Sequence, residues 1–423
     1  MCTYKEAEAY ILDIPRFAGK HTLKDTQELL AKITGSGVKS RIIHVAGTNG
    51  KGSVCAYLQS LLMEAGFSVG MFTSPHLQTM RERIRINGQM LSEEAFTEAF
   101  LCVKAISREG AHPSFFEFLF LMAMYIYGKA APDFIILETG LGGRLDATNA
   151  VEKKEIAVIT HMGLDHTEYL GDTLEKITEE KAGILKKDAP VVYFRTNAEV
   201  STILSDYAAK LQISTFEVSK KDYTFSKIHH KGIDFSYRSL YYDSVRLHLN
   251  TIAAYQMENA ALALRTLEVL LGKEVMEPGV MQQGMIKAFW AGRMEEILPG
   301  VYVDGAHNDD GMRAFLETVE KDDCRGNRYL FFGVAQDKHY EHMIEQIAKS
   351  NLFEKIFPVK MENPRALSQM RLKEVFLKYT DRCAGGYSSV REALQALYDM
   401  RGEQDRVYIT GSLYLVGEIK ELL

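Results

Sequence analysis

One stretch of the chain carries residues whose types and spacing could grip a phosphate: Arg41 to Ser53, RIIHVAGTNGKGS. Gly47, Gly50 and Gly52 permit a bend tight enough to turn several backbone N–H groups inward, and Thr48, Asn49, Lys51 and Ser53 are interleaved with them. Ile42, Ile43 and Val45 precede the bend as a short buried strand. After it, Val54, Leu58, Leu61, Leu62 and Ala65 recur at helical spacing, so the bend opens onto a helix N-terminus, where free N–H groups and the dipole favour an anion. Lys51 would neutralise β/γ-phosphate charge and the Ser53 hydroxyl would reach a Mg²⁺. The strict P-loop pattern has Gly where Val45 stands and a hydroxyl residue where Gly52 stands, so the match rests on Lys51 and Ser53 both falling at the helix entrance.

Three further strands deliver chemistry-bearing residues to their carboxyl ends. Val69–Thr73 runs into Ser74-Pro75-His76. Asp133–Thr139, DFIILET, is the near-continuous apolar run of a strand buried on both faces, and it leads to Glu138 and the glycine-rich GLGGRLDATN. Glu155–Thr160 leads to His161, Asp165 and His166. Ligands of open α/β sheets sit outside the carboxyl ends of strands, so four segments converge on one crevice. There Glu138, His166 and the hydroxyls of Ser53 and Ser74 could hold one or two Mg²⁺ beside the phosphates. Taken singly, Glu138 could cap the next helix and His166 could be a buried, satisfied histidine. Arg81, Arg83 and Arg85 are either a solvated loop or substrate-facing. Lys181, beside Glu179 and Glu180 in EKITEEKAGILK, reads on pattern alone as part of a solvated, salt-bridged helix face.

The elements that must position these residues alternate between strand and helix. Amphipathic helices are expected over Glu6–Leu12 and Thr22–Ile33 before the first strand, and over Leu174–Leu185 and Tyr255–Leu271 after the last of the four. From Thr196 to about Leu249 the pattern is less regular and hairpin-like, with His229 and His230 at a strand end. A fresh α/β alternation follows the Gly292 and Pro299 punctuation: Val301–Asp304 into GAHND, Arg328–Val334 into AQDKH, Lys355–Lys360 into MENPRAL and Arg406–Thr410 into GSLYLVGE. At 423 residues the chain exceeds what one core serves. Two domains are expected, 1–293 and 294–423, with a shared cleft.

Composition narrows the classes. A net charge of -6 argues against a nucleic-acid partner, and 46% apolar with 25% charged residues is ordinary for a globular protein. Cys2, Cys55, Cys102, Cys324 and Cys383 are scattered and odd in number, so neither a disulfide framework nor a zinc site is indicated. The start, MCTYKEAEAYI, has acidic residues where a signal peptide would be basic and then apolar. The longest apolar block, Phe115–Tyr127, carries Glu117 and is too short to span a bilayer. A cytoplasmic protein without a membrane partner is expected. Phosphate chemistry alone would also suit a nucleotide-binding switch or scaffold with slow ATPase activity.

GTNGKGS at 47–53, SPHL at 74–77, ETGLGGRLDATN at 138–149, GLDHTEYLGDTLEKITEEKAGI at 163–184, DGAHN at 304–308 and TGSLYLVGE at 410–418 closely resemble the folylpolyglutamate synthase/dihydrofolate synthase family of the Mur ligase superfamily. The resemblance implies an N-terminal P-loop nucleotide-binding α/β domain with a mostly parallel sheet and a smaller C-terminal Rossmann-like α/β domain that closes over it. It implies a ligase that phosphorylates a folate carboxylate with ATP and lets the amine of L-glutamate displace phosphate, or a bifunctional enzyme that also accepts dihydropteroate. By the same likeness Ser53, Ser74, Glu138 and His166 fall on magnesium at two sites. Lys181 becomes a carbamylated lysine serving the second magnesium, which reverses the solvated-helix reading. Asn259 and Arg293 approach ATP phosphates, Asp304 the ribose, His307 lines the cleft, and Asp146 and Phe116 lie near the pterin. A monovalent cation and a monomeric state complete the expectation. One departure is Ala291, where members commonly have Pro before Gly-Arg.

Overall fold

The computed structural model describes residues 2–15, 21–35, 37–107, 112–229, 232–400 and 402–423. Packing divides the chain into two compact units: Met1–Thr224 with Ser236–Leu247 and Glu258–Ala288, and Phe225–Phe235 with His248–Met257 and Phe289–Leu423.

The first unit is built on strands β1 (Arg41–Ala46), β2 (Val69–Phe72), β3 (Ile84–Ile86), β4 (Gln89–Met90), β5 (Phe134–Glu138), β6 (Ile156–Ile159), β7 (Val191–Phe194) and β8 (Thr215–Val218). They form one sheet in the order β4-β3-β2-β5-β1-β6-β7-β8. β2, β5, β1, β6, β7 and β8 run parallel, and β3 and β4 add an antiparallel edge. The mostly parallel sheet expected from the alternation is therefore present. Its β1, β2, β5, β6 and β7 are buried almost throughout, which is why they read as near-continuous apolar runs rather than as an alternating pattern. The four strands that end in the candidate residues, β2, β5, β1 and β6, are consecutive neighbours, with Val45 opposite Glu138 and Ala46 opposite Ile159.

Helices Tyr4–Asp13, Leu23–Thr34, Glu93–Ile106 and Phe115–Ala130 share one apolar core with Phe72, Ile135 and Leu137 of the sheet. The long apolar block is thus a buried core helix, opened by a reciprocal Ser114/Glu117 cap. Among the described residues no helix is long and apolar enough to cross a membrane. Helix Lys51–Glu64 is covered by helix Pro278–Lys287: Gly284 lies against Leu61, and the Ser60 hydroxyl donates to the Gly284 carbonyl at 2.7 Å.

The hairpin-like reading of 196–249 holds for its second half. There β9 (Tyr223–His229), β10 (Gly232–Tyr237) and β11 (Val245–Leu249) form a sheet in the order β11-β10-β9; His230 lies outside the described residues. Its first half is a helix, Ala198–Leu211, capped by Asn197 and burying Val200, Leu204 and Ala208 at four-residue spacing. The helix expected over Leu174–Leu185 ends earlier, at Ala182.

The second unit holds a smaller sheet of β12 (Glu295–Leu298), β13 (Val301–Val303), β14 (Arg328–Phe332), β15 (Lys355–Pro358) and β16 (Arg406–Thr410), ordered β12-β13-β16-β14-β15. Only β12 is antiparallel. Leu330, Phe332 and Ile356 of these strands pack with Met312, Phe315 and Val319 of helix Asp309–Lys321 and with Met343 and Ile347 of helix Tyr340–Ser350.

Candidate active site

The bend after β1 is tied to the segment leaving β6. Thr48 and Asn49 N–H donate to the His161 carbonyl at 2.9 and 3.2 Å, Thr160 Oγ1 donates to the Asn49 carbonyl at 2.6 Å, and Thr48 Oγ1 donates to the Gly163 carbonyl at 2.9 Å. Two glycines are obligatory here. Gly47 (φ +150) and Gly50 (φ +89) take left-handed-side conformations, and a Cβ would run into the side chain of Thr160 at the first and of Asn259 at the second. Asn259, on helix Gln256–Leu271, is thereby pressed against the entrance of helix Lys51–Glu64. The adjacent Glu258 pairs with His161 Nδ1 at 3.1 Å.

Two lysines point at one oxygen of this bend. Lys51 Nζ donates to the carbonyls of Gly47 (3.1 Å) and Thr48 (3.2 Å), and Lys181 Nζ reaches the same Gly47 carbonyl at 2.7 Å. Lys181 is 4% exposed, so the solvated-helix reading taken from the pattern alone does not hold for it. Its burial follows from close glycine contacts: Gly143 lies on the Lys181 backbone and Gly183 on Arg144, so the loop after β5 closes over the helix end. Burial, and then the Lys51 charge, depress its pKa from 10.5 to about 7, while Asp165 and Asp146 oppose the shift. The amine is therefore largely neutral at slightly alkaline pH.

Glu138 is buried at the end of β5, and its Oε2 accepts from the Ser74 N–H at 2.8 Å. Ser53 is buried in the first turn of helix Lys51–Glu64. His166 is exposed in a left-handed conformation just before the short helix Thr167–Leu170, and its N–H donates to Asp165 Oδ1 at 2.9 Å. Among the described residues no three His, Cys, Asp or Glu side chains are grouped around one point. The Glu138 carboxylate, with the Ser74 N–H on one oxygen, is a single hard-oxygen donor of the kind that suits Mg²⁺ held mainly by water and phosphate.

Phe116 and Asp146 meet at Gly140. The Phe116 ring lies where a Gly140 Cβ would be, 2.6 Å away at its nearest atom, and Asp146 Oδ2 accepts from the Gly140 and Leu141 N–H groups at 2.8 and 2.9 Å. Its Oδ1 accepts from the Thr148 N–H at 3.0 Å and hydroxyl at 2.5 Å. Burial raises the Asp146 pKa, and these bonds oppose the rise. Behind it, His44 Nε2 is 2.7 Å from Thr148 Oγ1; that hydroxyl donates to Asp146, so the His44 ring donates and is the Nε2–H tautomer. Burial lowers the His44 pKa well below 6.5, keeping the ring neutral. Long-range contacts of this kind, like the His161–Glu258 pair, have no local sequence signal.

Of the three loop arginines, Arg83 is buried: its Nε donates to His76 Nδ1 at 2.8 Å and its guanidinium lies over Phe115. Burial, then the Arg83 charge, push the His76 pKa to about 4.

In the second unit Asp304 is buried at the end of β13. It accepts from Tyr255 OH at 2.5 Å, Met294 N–H at 2.9 Å and Ala306 N–H at 2.8 Å. Burial raises its pKa and Arg293 opposes the rise. Arg293 Nη1 donates to the Gly292 carbonyl at 2.9 Å, and His307 Nδ1 donates to the Gly305 carbonyl at 2.7 Å. Asp304 thus joins the Arg293 segment to the turn that carries His307.

Residues 45–267 match the Mur ligase middle domain and residues 292–413 the Mur ligase glutamate ligase domain. The chain is 32% identical to the dihydrofolate synthase/folylpolyglutamate synthase of Bacillus subtilis (strain 168), over 99% of each. Among solved structures it is similar to Mycobacterium tuberculosis folylpolyglutamate synthase complexed with ADP (TM-score 0.88, 26% identity, 99% of this chain and 98% of that one). It is also similar to E. coli FolC in complex with DHPP and ADP (TM-score 0.85, 27% identity, 100% and 97%). With both Mur ligase domains matched and relatives aligned along nearly its whole length, the chain belongs to the folylpolyglutamate synthase/dihydrofolate synthase family of Mur ligases.

Proposed function

We propose that this protein is an ATP-dependent ligase that forms an amide between L-glutamate and a folate carboxylate, with ADP and phosphate as the other products. The observation that carries it is the bend at Gly47–Lys51, where two lysines from different elements converge beside the ends of four neighbouring parallel strands. A carboxylate is a poor acyl donor near neutral pH; phosphorylation turns one of its oxygens into a leaving group. The amine then attacks the acyl carbon, phosphate departs with the bonding pair, and one proton is lost from nitrogen.

In this reading Gly47, Gly50, Gly52 and Ser53 cradle the triphosphate with their N–H groups, Thr48 and Asn49 hold the bend in shape through the His161 carbonyl, and Lys51 follows the charge that moves onto the transferred phosphoryl oxygens. Asn259, Arg293, Asp304 and His307 contact the nucleotide. Phe116 offers an apolar face to the pterin, and Asp146 holds the Gly140–Leu141 turn beside it. Ser53, Ser74, Glu138 and His166 would hold magnesium, which supplies charge neutralisation and orientation of the phosphates. The neutral Lys181 amine adds CO₂, releasing one proton, and the resulting carbamate would serve a second magnesium. Residues 1–293 and 294–423 are taken as the two domains, supported by the separate middle and glutamate-ligase matches.

The test is amide formation followed by mass spectrometry. ADP release is expected only when a reduced folate and L-glutamate are both present, and is expected to stop on chelation of magnesium. Equal ADP release with ATP alone would overturn the reading. A second activity on dihydropteroate is favoured by the paired name of the Bacillus subtilis relative and the DHPP bound to E. coli FolC. Product formation with dihydropteroate as acceptor decides it.

A further inference from the structure

One deeply buried cation has no part in the chemistry above. Lys154 lies in the connection VEKKE that leads into β6; its neighbour Lys153 is exposed, whereas Lys154 is 6% exposed. Nζ donates to Asn149 Oδ1 at 2.7 Å and to the Ile184 carbonyl at 3.1 Å. Burial, then the Lys186 charge, lower its pKa well below 10.5, with Asp146 opposing. An amine in such a place costs stability relative to an apolar side chain of the same length, so its N–H groups are where a role must be sought.

Those groups close one end of a helix. The last carbonyls of an α-helix have no partner within it. At the end of helix Leu174–Ala182 and in the turn after it, the carbonyls of Lys181 and Ala182 are bonded within the turn, and those of Glu179, Glu180, Gly183 and Ile184 are taken up by the segment 144–154. Arg144 N–H donates to the Glu180 carbonyl at 2.8 Å and Arg144 Nη2 to that of Glu179 at 3.1 Å. Asn149 Nδ2 donates to the carbonyls of Gly183 at 3.2 Å and Arg144 at 2.8 Å, and Lys154 holds both Asn149 and Ile184. Ile184 N–H in turn donates to the Lys181 carbonyl at 3.2 Å. A continuous chain of hydrogen bonds therefore runs from Lys154 through Ile184 to the backbone of the lysine whose amine sits on the phosphate-binding bend.

We propose that Lys154 is a positioning residue for the ligase reaction: with Asn149 it caps the end of helix Leu174–Ala182 from outside and so fixes Lys181 over the bend. The proposal rests on the role given to Lys181 above. Nothing in it requires Lys154 to touch a substrate.

The experiment is a kinetic double-mutant cycle of Lys154→Met and Lys181→Ala, with Lys154→Gln as the donor-retaining variant and melting curves on each. Lys154→Met is expected to lower kcat per folded molecule by about 10–100-fold with little change in the folate KM. Lys154→Gln is expected to recover most of that loss through its amide N–H. In the Lys181→Ala background Lys154→Met should remove nothing further. Losses that multiply in the double variant overturn the proposal, as does an unchanged kcat per folded molecule or a failure of Gln to restore it. If Lys154→Met does not fold, Asn149→Ser, which removes the amide that Lys154 holds against the Gly183 carbonyl, carries the same cycle. Full activity in Lys181→Ala alone refutes instead the role of Lys181, so the two failures are read from different variants.

Discussion

Replacing Lys181 by methionine should make the folded protein more stable in mild acid while leaving only a small residual turnover, and the gain should shrink as pH rises. The Lys181 pKa is about 7 in the folded chain against 10.5 for a free lysine. At about 1.4 kcal/mol per pKa unit, that depression is a penalty of about 5 kcal/mol on the folded state at low pH. The folded form binds fewer protons than the unfolded one between the two pKa values, so stability rises with pH across that window. The penalty is complete below about pH 7 and gone above about pH 10.5. Methionine keeps the volume but loses the bond to the Gly47 carbonyl, about 1 kcal/mol. The variant should therefore gain about 3–4 kcal/mol near pH 6, falling by about 2–3 kcal/mol by pH 9. Urea unfolding of metal-free, CO₂-depleted wild type and Lys181→Met at both pH values measures it. A difference that does not change with pH, or a variant less stable near pH 6, would refute the reasoning.

Gly50→Ala is expected to raise the ATP KM by about tenfold or more and to cost about 1–3 kcal/mol of stability, because the new Cβ needs φ +89 and meets Asn259; steady-state kinetics and urea unfolding check both. Asp146→Asn replaces an acceptor by a donor facing an N–H or a hydroxyl, since both oxygens already accept bonds. It should cost about 2–3 kcal/mol and weaken acceptor binding, seen in a lower unfolding midpoint and a raised folate KM.

The catalytic half of the fold was legible because its signals are local. β1, β5 and β6 are short unbroken apolar runs ending in polar clusters, and each places its cluster at the end of a parallel strand. Helix Ala198–Leu211 was obscured by Val200, Thr202 and Ile203, which favour strands, although Asn197 and the Val200, Leu204, Ala208 spacing mark it. β3 and β4 are three and two residues long, too short for any periodicity. Lys181 and Lys154 fail for another reason. Their burial comes from residues distant in sequence, Gly47 and Gly143 for the first and Ile184 for the second, and a charged residue in a charged stretch gives no hint of such covering.

The four neighbouring strands β2, β5, β1 and β6 act as a ruler. Adjacent strands lie about 4.8 Å apart in any sheet, so the lateral spacing of Ser74, Glu138, the phosphate-binding bend and the segment reaching His166 is set by backbone pairing, and no side-chain substitution can stretch it. Divergence in what the enzyme accepts must then be written in the loops. Leu145, Leu164 and Tyr169 are large apolar side chains left exposed on the segments leaving β5 and β6, where a substitution leaves the pairing of the four strands untouched.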